Sequence, residues 1–188
     1  MSTCNEVGIV GLRLNNMLGY NAICRMLRRE NNYKFAFGNS VSPAMHAWPW
    51  DIWGSGNWRK SIITLDRAQI GFGAIFIDKP NAVCCMELGL LPQYRGQGYG
   101  GIAGRLLISK CFTKYGARLV ESLTLSTNLR SIGMVDWMTL EGRLEARYLI
   151  DGQEVDELIY KITKSEWELR RVEDMKRQID VQQEGQKT

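Results

Sequence analysis

Hydrophobic and polar positions follow two rhythms along this chain. Residues 61–66 (SIITLD), 69–78 (QIGFGAIFID) and 82–90 (AVCCMELGL) are short apolar runs bounded by turn residues, which predicts strands. Their links are short, and Asp78-Lys79-Pro80-Asn81 is a turn signal, so the three should form an antiparallel meander. The other rhythm is helical. It covers residues 14–30, where Leu18, Ile23 and Leu27 fall roughly on one stripe, and residues 99–115, which stop at Gly116. Residues 118–126 return to strand character, and strand, helix, strand in that order implies a right-handed crossover and a parallel pair. A short helix is expected over 128–138, followed by a hairpin of 143–150 and 153–163 around Asp151-Gly152. Ser165 followed by Glu168 has the spacing of a capping box. Leu169, Val172, Met175 and Ile179 then recur at helical spacing, a narrow apolar stripe that should dock on its own domain or on a partner, a homo-oligomer being one such case.

Composition adds limits. The chain has 188 residues, 45% hydrophobic and 23% charged, a balance that suits one domain with its own core. The expected division is a domain over 1–164 and a helical extension over 165–188. A net charge of +4 helps hold an anionic ligand but is too small to argue for nucleic acid. No apolar run approaches the roughly 20 residues of a membrane helix, and the N-terminus lacks the charged start and apolar stretch of a signal peptide. There are five cysteines, one histidine (His46) and no CxxC pair. That argues against a disulfide framework and a structural zinc site, so no metal is expected and reduced thiols suggest the cytoplasm. The adjacent Cys84 and Cys85 read as buried packing residues, and His46 as structural or solvated. In HAWPWDIWGSGNW (46–58), Trp48, Trp50, Trp53 and Trp58 either cap the core or wall a site for an amine, which aromatic faces attract.

The densest glycine run is RGQGYGG, residues 95–101. A Walker loop is excluded, because Ile102 stands where Lys and Ser/Thr should follow Gly101. The dinucleotide fingerprint GxGxxG fits Gly96, Gly98 and Gly101, with Glu121 near the spacing of the ribose-binding acid. That reading predicts NAD(P) affinity, but Pro92-Gln93-Tyr94-Arg95 separate the strand from the glycines, and the meander before them is antiparallel. The order strand (MELGLLP), QYRGQGYG, helix resembles the acetyl-CoA-binding motif of the GNAT superfamily, [Q/R]-x-x-G-x-[G/A], with Arg95, Gly98 and Gly100 at its defined positions and Gly96 as a common extra. The physical sense is that bare N–H groups at a helix start face a pyrophosphate. Arg95 would add a charge-assisted bond. The plain alternative is a tight strand-to-helix turn that binds nothing.

The resemblance covers about 61–167, and the segment from Asn128 to Trp167 is similar to the Rim-type ribosomal-protein N-terminal acetyltransferases. It rests on Asn128, Ser131, Glu141-Gly142, Arg147, Asp151-Gly152, Asp156 and Glu166-Trp167. It implies an α/β fold of GNAT type, a mixed and mostly antiparallel sheet flanked by helices, and acetyl transfer from acetyl-CoA to a primary amine. The acceptor would be a protein N-terminus, a lysine or a small amine. The implied cofactor-binding residues are Leu90, Leu91, Arg95, Gly96, Gln97, Gly98, Tyr99, Gly100, Asn128 and Ser131. Two departures stand out: Met138-Thr139-Leu140 replaces the usual Gly-Phe segment, and Val135 stands where many members carry the tyrosine that protonates the thiolate.

The reaction needs a base, since alkyl amines are mostly protonated near neutrality. Alternation puts Glu87 with Val83, Cys85 and Gly89 on one strand face just before the glycine loop, which makes it the first candidate. Asp136, Glu141 and Asp156 are weaker ones. Tyr148 or a water would replace the missing acid, and a backbone N–H near the end of 82–90 would polarise the thioester carbonyl. A rival reading is a GNAT fold that has lost catalysis and serves as a binding or structural component.

Overall fold

The computed structural model describes residues 7–11 and 57–173. The helix expected over 14–30, His46, Trp48, Trp50, Trp53, Met175 and Ile179 lie outside the described residues. Seven strands form one sheet: β1 (Val7–Gly11), β2 (Trp58–Leu65), β3 (Ala68–Asp78), β4 (Val83–Leu90), β5 (Leu119–Leu125), β6 (Thr139–Ile150) and β7 (Gln153–Thr163). Their order is β1-β2-β3-β4-β5-β7-β6. All neighbours are antiparallel except β4 and β5, so the meander and the parallel crossover are as the sequence predicts. β1 was not anticipated. It is five residues long, contains two glycines, and pairs with a strand some fifty residues later, from Val7↔Leu65 to Gly11↔Ser61, so no local signal announces it.

α1 (Tyr99–Thr113) and α2 (Leu129–Val135) cover one face of the sheet. There Ile75, Ile77, Cys84, Met86, Val120 and Ile162 meet Leu107, Ile108, Cys111 and Phe112 of α1. Each such side chain contributes about 1.5–3 kcal/mol on burial, enough to fix where α1 starts relative to the end of β4. The hairpin turns at Asp151 and Gly152 with φ of 50° and 82°, the two left-handed residues of a tight I′-type turn.

The C-terminal helix, α3, is described over 164–173. Its cap is not Ser165–Glu168 but Thr163–Glu166: Glu166 Oε2 accepts the Thr163 N–H at 2.8 Å, and the Glu166 N–H returns to Thr163 Oγ1 at 3.3 Å. Both spacings satisfy the capping pattern, and burial chooses between them. Trp167 is 7% exposed and lies 5.8 Å from Trp137 and 6.3 Å from Phe112, ring centre to centre. Glu168 is left with an exposed contact to Lys164 at 4.0 Å. Leu169 and Val172 of the expected stripe stay exposed. Among the described residues, no helix is long and apolar enough to cross a membrane.

Candidate active site

The β4–α1 connection is built by backbone. The Leu91 N–H donates to the Ile70 carbonyl at 2.9 Å, closing the β3–β4 ladder, and a single 3₁₀ turn follows at Pro92–Tyr94. Arg95 Nε donates to the Leu90 carbonyl at 2.8 Å and Gln97 Nε2 to the Gln93 carbonyl at 2.7 Å, so both side chains brace the loop. Gly96 and Gly98 have φ of 72° and 82°, where a Cβ is strained. Among the described residues nothing lies within 4 Å of where their Cβ atoms would stand. Gly98 is the N-cap of α1; no side chain caps that helix among the described residues, and no acid sits in its first turn. The positive end of α1 therefore meets no carboxylate from its own first turn. Gly100 lies differently: its Cβ would stand 3.8 Å from Leu90 and 3.9 Å from Met134 of α2, ordinary contact. Tyr99 packs, half-buried, on the cluster of Ile63, Ile70, Leu90 and Ala103.

Beside this loop the sheet opens. β4 and β5 pair only from Val83↔Leu119 to Cys85↔Glu121, after which β4 continues alone on that side to Leu90. Backbone polar groups alternate along a strand, and Leu91 faces β3, so the N–H groups of Leu88 and Leu90 turn toward the opening. From the other side, α2 begins at Asn128, whose Oδ1 accepts the Ser131 N–H at 3.2 Å. Asn128 therefore serves as a helix cap, with Ser131 half-buried above it. The structure brings Leu90, Leu91, the 95–100 loop, Asn128 and Ser131 to the same end of the sheet, flanking the opening.

The sheet face opposite α1 carries the titratable groups. Glu87 stands on it with Cys85, two residues past the last β4–β5 pair. Its Oε2 is buried and has no hydrogen-bond partner among the described residues, and burial pushes the carboxyl up to about 7, opposed by the charge of Lys60. Cys84 faces α1 and is fully buried, whereas Cys85 faces the carboxylates: burial first, then Glu87, Glu121 and Glu157, push its thiol up to about 12. The pair thus divides between the two faces instead of packing as one unit. Tyr148 donates its hydroxyl to Glu157 Oε1 at 2.8 Å, and Arg147 Nε lies 4.0 Å from Glu157 Oε2.

The other carboxylates have structural partners or lie at a helix end. Asp156 accepts the Ala146 N–H at 2.8 Å and binds Arg143 Nε at 2.7 Å, which holds its carboxyl below the usual range. Ala146 there has φ of 48°, in an irregular stretch of β6, and Asp156 is what closes it. Glu141 pairs with Lys161, and Asp136 is the exposed C-cap of α2. Val135, at the position of the expected acid, is fully buried in the core. Two residues on the face, Lys60 and Glu157, carried no sequence motif. Alternation alone could have oriented each within its strand, but only the cross-strand register brings them to Glu87 and Tyr148. No group of three or more His, Cys, Asp or Glu that could hold a metal occurs among the described residues.

Comparison with known proteins adds the following. The model of the acetyltransferase (GNAT) family matches residues 23–136. Among solved structures, the chain resembles spermidine N-acetyltransferase from Vibrio cholerae in complex with CoA and spermine, at a TM-score of 0.73 and 13% identity, covering 86% of this chain and 97% of that one. It also resembles Mycobacterium smegmatis RimJ in complex with CoA-disulfide, at 0.71 and 19% identity, covering 85% and 83%. RimL, a ribosomal L7/L12 alpha-N-protein acetyltransferase in complex with coenzyme A, aligns at 0.70 and 12% identity over 85% and 95%. At these identities the likeness is one of fold. No curated protein sequence matches the chain.

Proposed function

The chain belongs to the GNAT family of acetyltransferases, and from that premise we propose that it moves an acetyl group from acetyl-CoA directly onto a primary amine, with Glu87 as the base. The acceptor ranks as a protein N-terminus first, a lysine second and a small amine third. The domain proper would be residues 1–164 and the extension 165–188, with Trp167 near its start buried in the core.

One observation carries the reading. Among the described residues, Glu87 Oε2 is buried without a partner beside the opening between β4 and β5. A lone buried carboxylate oxygen is costly unless a ligand or water answers it. With its carboxyl near 7, Glu87 can take a proton from an ammonium and still be ionised at neutral pH. The neutral amine attacks the thioester carbon, whose oxygen is received by an outward N–H of β4, that of Leu88 or Leu90. The C–S bond breaks, the thiolate takes a proton from Tyr148 or from water, and the surplus proton on the attacking nitrogen passes back to that donor, leaving a neutral amide and free CoA. The diphosphate of the cofactor would lie on the bare start of α1, with Arg95, Gly96, Gln97, Gly98, Tyr99 and Gly100 around it. The pantetheine arm would run past Leu90 and Leu91 toward Asn128 and Ser131.

The experiment is an amine panel of N-terminal peptides, lysine peptides and polyamines with acetyl-CoA, read as free CoA and as acetylated product by mass spectrometry. Glu87→Gln should lower turnover about 10²–10⁴-fold with CoA affinity unchanged. Full activity in that variant removes Glu87 as base. CoA binding with no turnover on any amine would favour a binding role, the alternative that the buried Val135 keeps in view.

A further inference from the structure

α1 and α2 start at the same end of the sheet, where β4 and β5 finish, and both run back along it. For α2 the direction follows from its two ends. The Asn128 N–H donates to the Leu125 carbonyl at the end of β5, and β6 opens at Thr139, in the row of Lys161 and Glu121. The two helices meet through Met134, which lies 3.7 Å from where a Cβ on Gly104 would stand and 3.9 Å from one on Gly100. Met134 thus lies across the first turn of α1. Arg130 precedes it by four residues, on the same face of α2 and one turn, about 5.4 Å, nearer the end where both helices begin. That puts Arg130 beside the glycine loop, on the flank that α2 forms.

Arg130 is exposed, and among the described residues it makes no hydrogen bond, ion pair or ring contact. The arginines of the loop and of α1 are engaged: Arg95 Nε with the Leu90 carbonyl at 2.8 Å, and Arg105 over the Trp137 ring at 5.4 Å. No acid occurs between Glu121 and Asp136 to claim Arg130 locally. We propose that Arg130 binds the 3′-phosphate of coenzyme A. This rests on the reading of the α1 start as the seat of the diphosphate. Main-chain N–H groups answer the diphosphate there. The 3′-phosphate sits one ribose away and carries a charge of about −1.5 to −2 at neutral pH, so it calls for a cation of its own. A guanidinium matches it with two parallel N–H···O bonds. The other flank of the loop is apolar, where Tyr94 and Tyr99 pack against Ile63, Ile70 and Leu90. Arg67, exposed in the turn between β2 and β3, lies on that side.

The test is a calorimetric titration of the full chain with CoA and with 3′-dephospho-CoA. The wild type should bind CoA about tenfold more tightly than the dephosphorylated form. Arg130→Ala should abolish that preference: CoA affinity falls about tenfold, and dephospho-CoA affinity holds. Arg67→Ala should keep the preference. Thermal midpoints of the unliganded samples report the fold, and Arg130→Gln stands in where the alanine variant does not fold. A wild type that binds both ligands alike, or neither, overturns the proposal. So does a preference that survives in a folded Arg130 variant, or one that disappears in Arg67→Ala. An equal loss for both ligands in Arg130→Ala also overturns it, by putting the side chain at the diphosphate, and failure of both variants to fold would make Arg130 structural. The diphosphate reading fails by a different result, Gly98→Val binding both ligands as tightly as the wild type.

Discussion

α1 and α3 begin in opposite ways. α3 starts on a reciprocal cap, Thr163 with Glu166, which answers its first N–H groups and puts a negative charge on its positive end. α1 starts on Gly98 in the left-handed region, with no side-chain cap and no acid in its first turn. α2 takes the side of α3, since Asn128 caps it. A helix whose task is structural closes its end from within. The helix beside the open edge of β4 starts without a side-chain cap among the described residues, which costs local stability and, in the function proposed above, keeps a place for the diphosphate.

The contrast can be broken experimentally, and the largest effect should come from Gly98. A valine there would have to adopt φ of 82°, at about 1–3 kcal/mol of strain, and would stand between the helix end and its ligand. Calorimetry should show CoA affinity reduced about a hundredfold or more, with the folded state retained. Unchanged affinity would mean that the diphosphate binds elsewhere. Next, Glu166→Ala should lower stability by about 1 kcal/mol in denaturant melts while CoA affinity holds.

A smaller and more telling change is Gly101→Asp, at the first turn of α1, where no described residue lies within 4 Å of the added Cβ. An acid there favours the helix, so stability should rise by about 0.3–1 kcal/mol, while CoA binding weakens about two- to fivefold through repulsion. Stability and binding moving together would refute the idea that α1 is left bare for an anion. Smallest of all, Glu168→Ala should stay within about 0.5 kcal/mol of wild type, because its contact with Lys164 is exposed and 4.0 Å long. A loss equal to that of Glu166→Ala would restore the cap that the spacing Ser165–Glu168 first suggests.

Much of the fold was legible because its signals are local. The meander, the crossover and the Asp151-Gly152 hairpin each follow from runs of a few residues and the turns between them. The glycine loop was legible for the same reason, and the structure adds that Gly96 needs its left-handed φ as much as Gly98 does. The C-terminal motif was readable as a pattern but not in its purpose. Asn128 caps a helix, Asp156 closes the irregular turn of β6, and Glu166-Trp167 caps and anchors α3, so several residues that resemble family markers hold the fold in place.

By itself, then, the order of residues determined which segments are strands and helices, where the backbone must turn left-handed, and that a helix starts bare after β4. These depend on neighbours a few positions away, whose sterics and hydrogen bonds act within one stretch of chain. Only the tertiary structure decided that β4 and β5 part after Cys85↔Glu121, that Trp167 selects the cap of α3, and that Lys60, Ala74 and Glu87 share a row. Those outcomes turn on cross-strand register and burial between residues far apart in sequence, and a carboxyl is raised or lowered by what surrounds it in space.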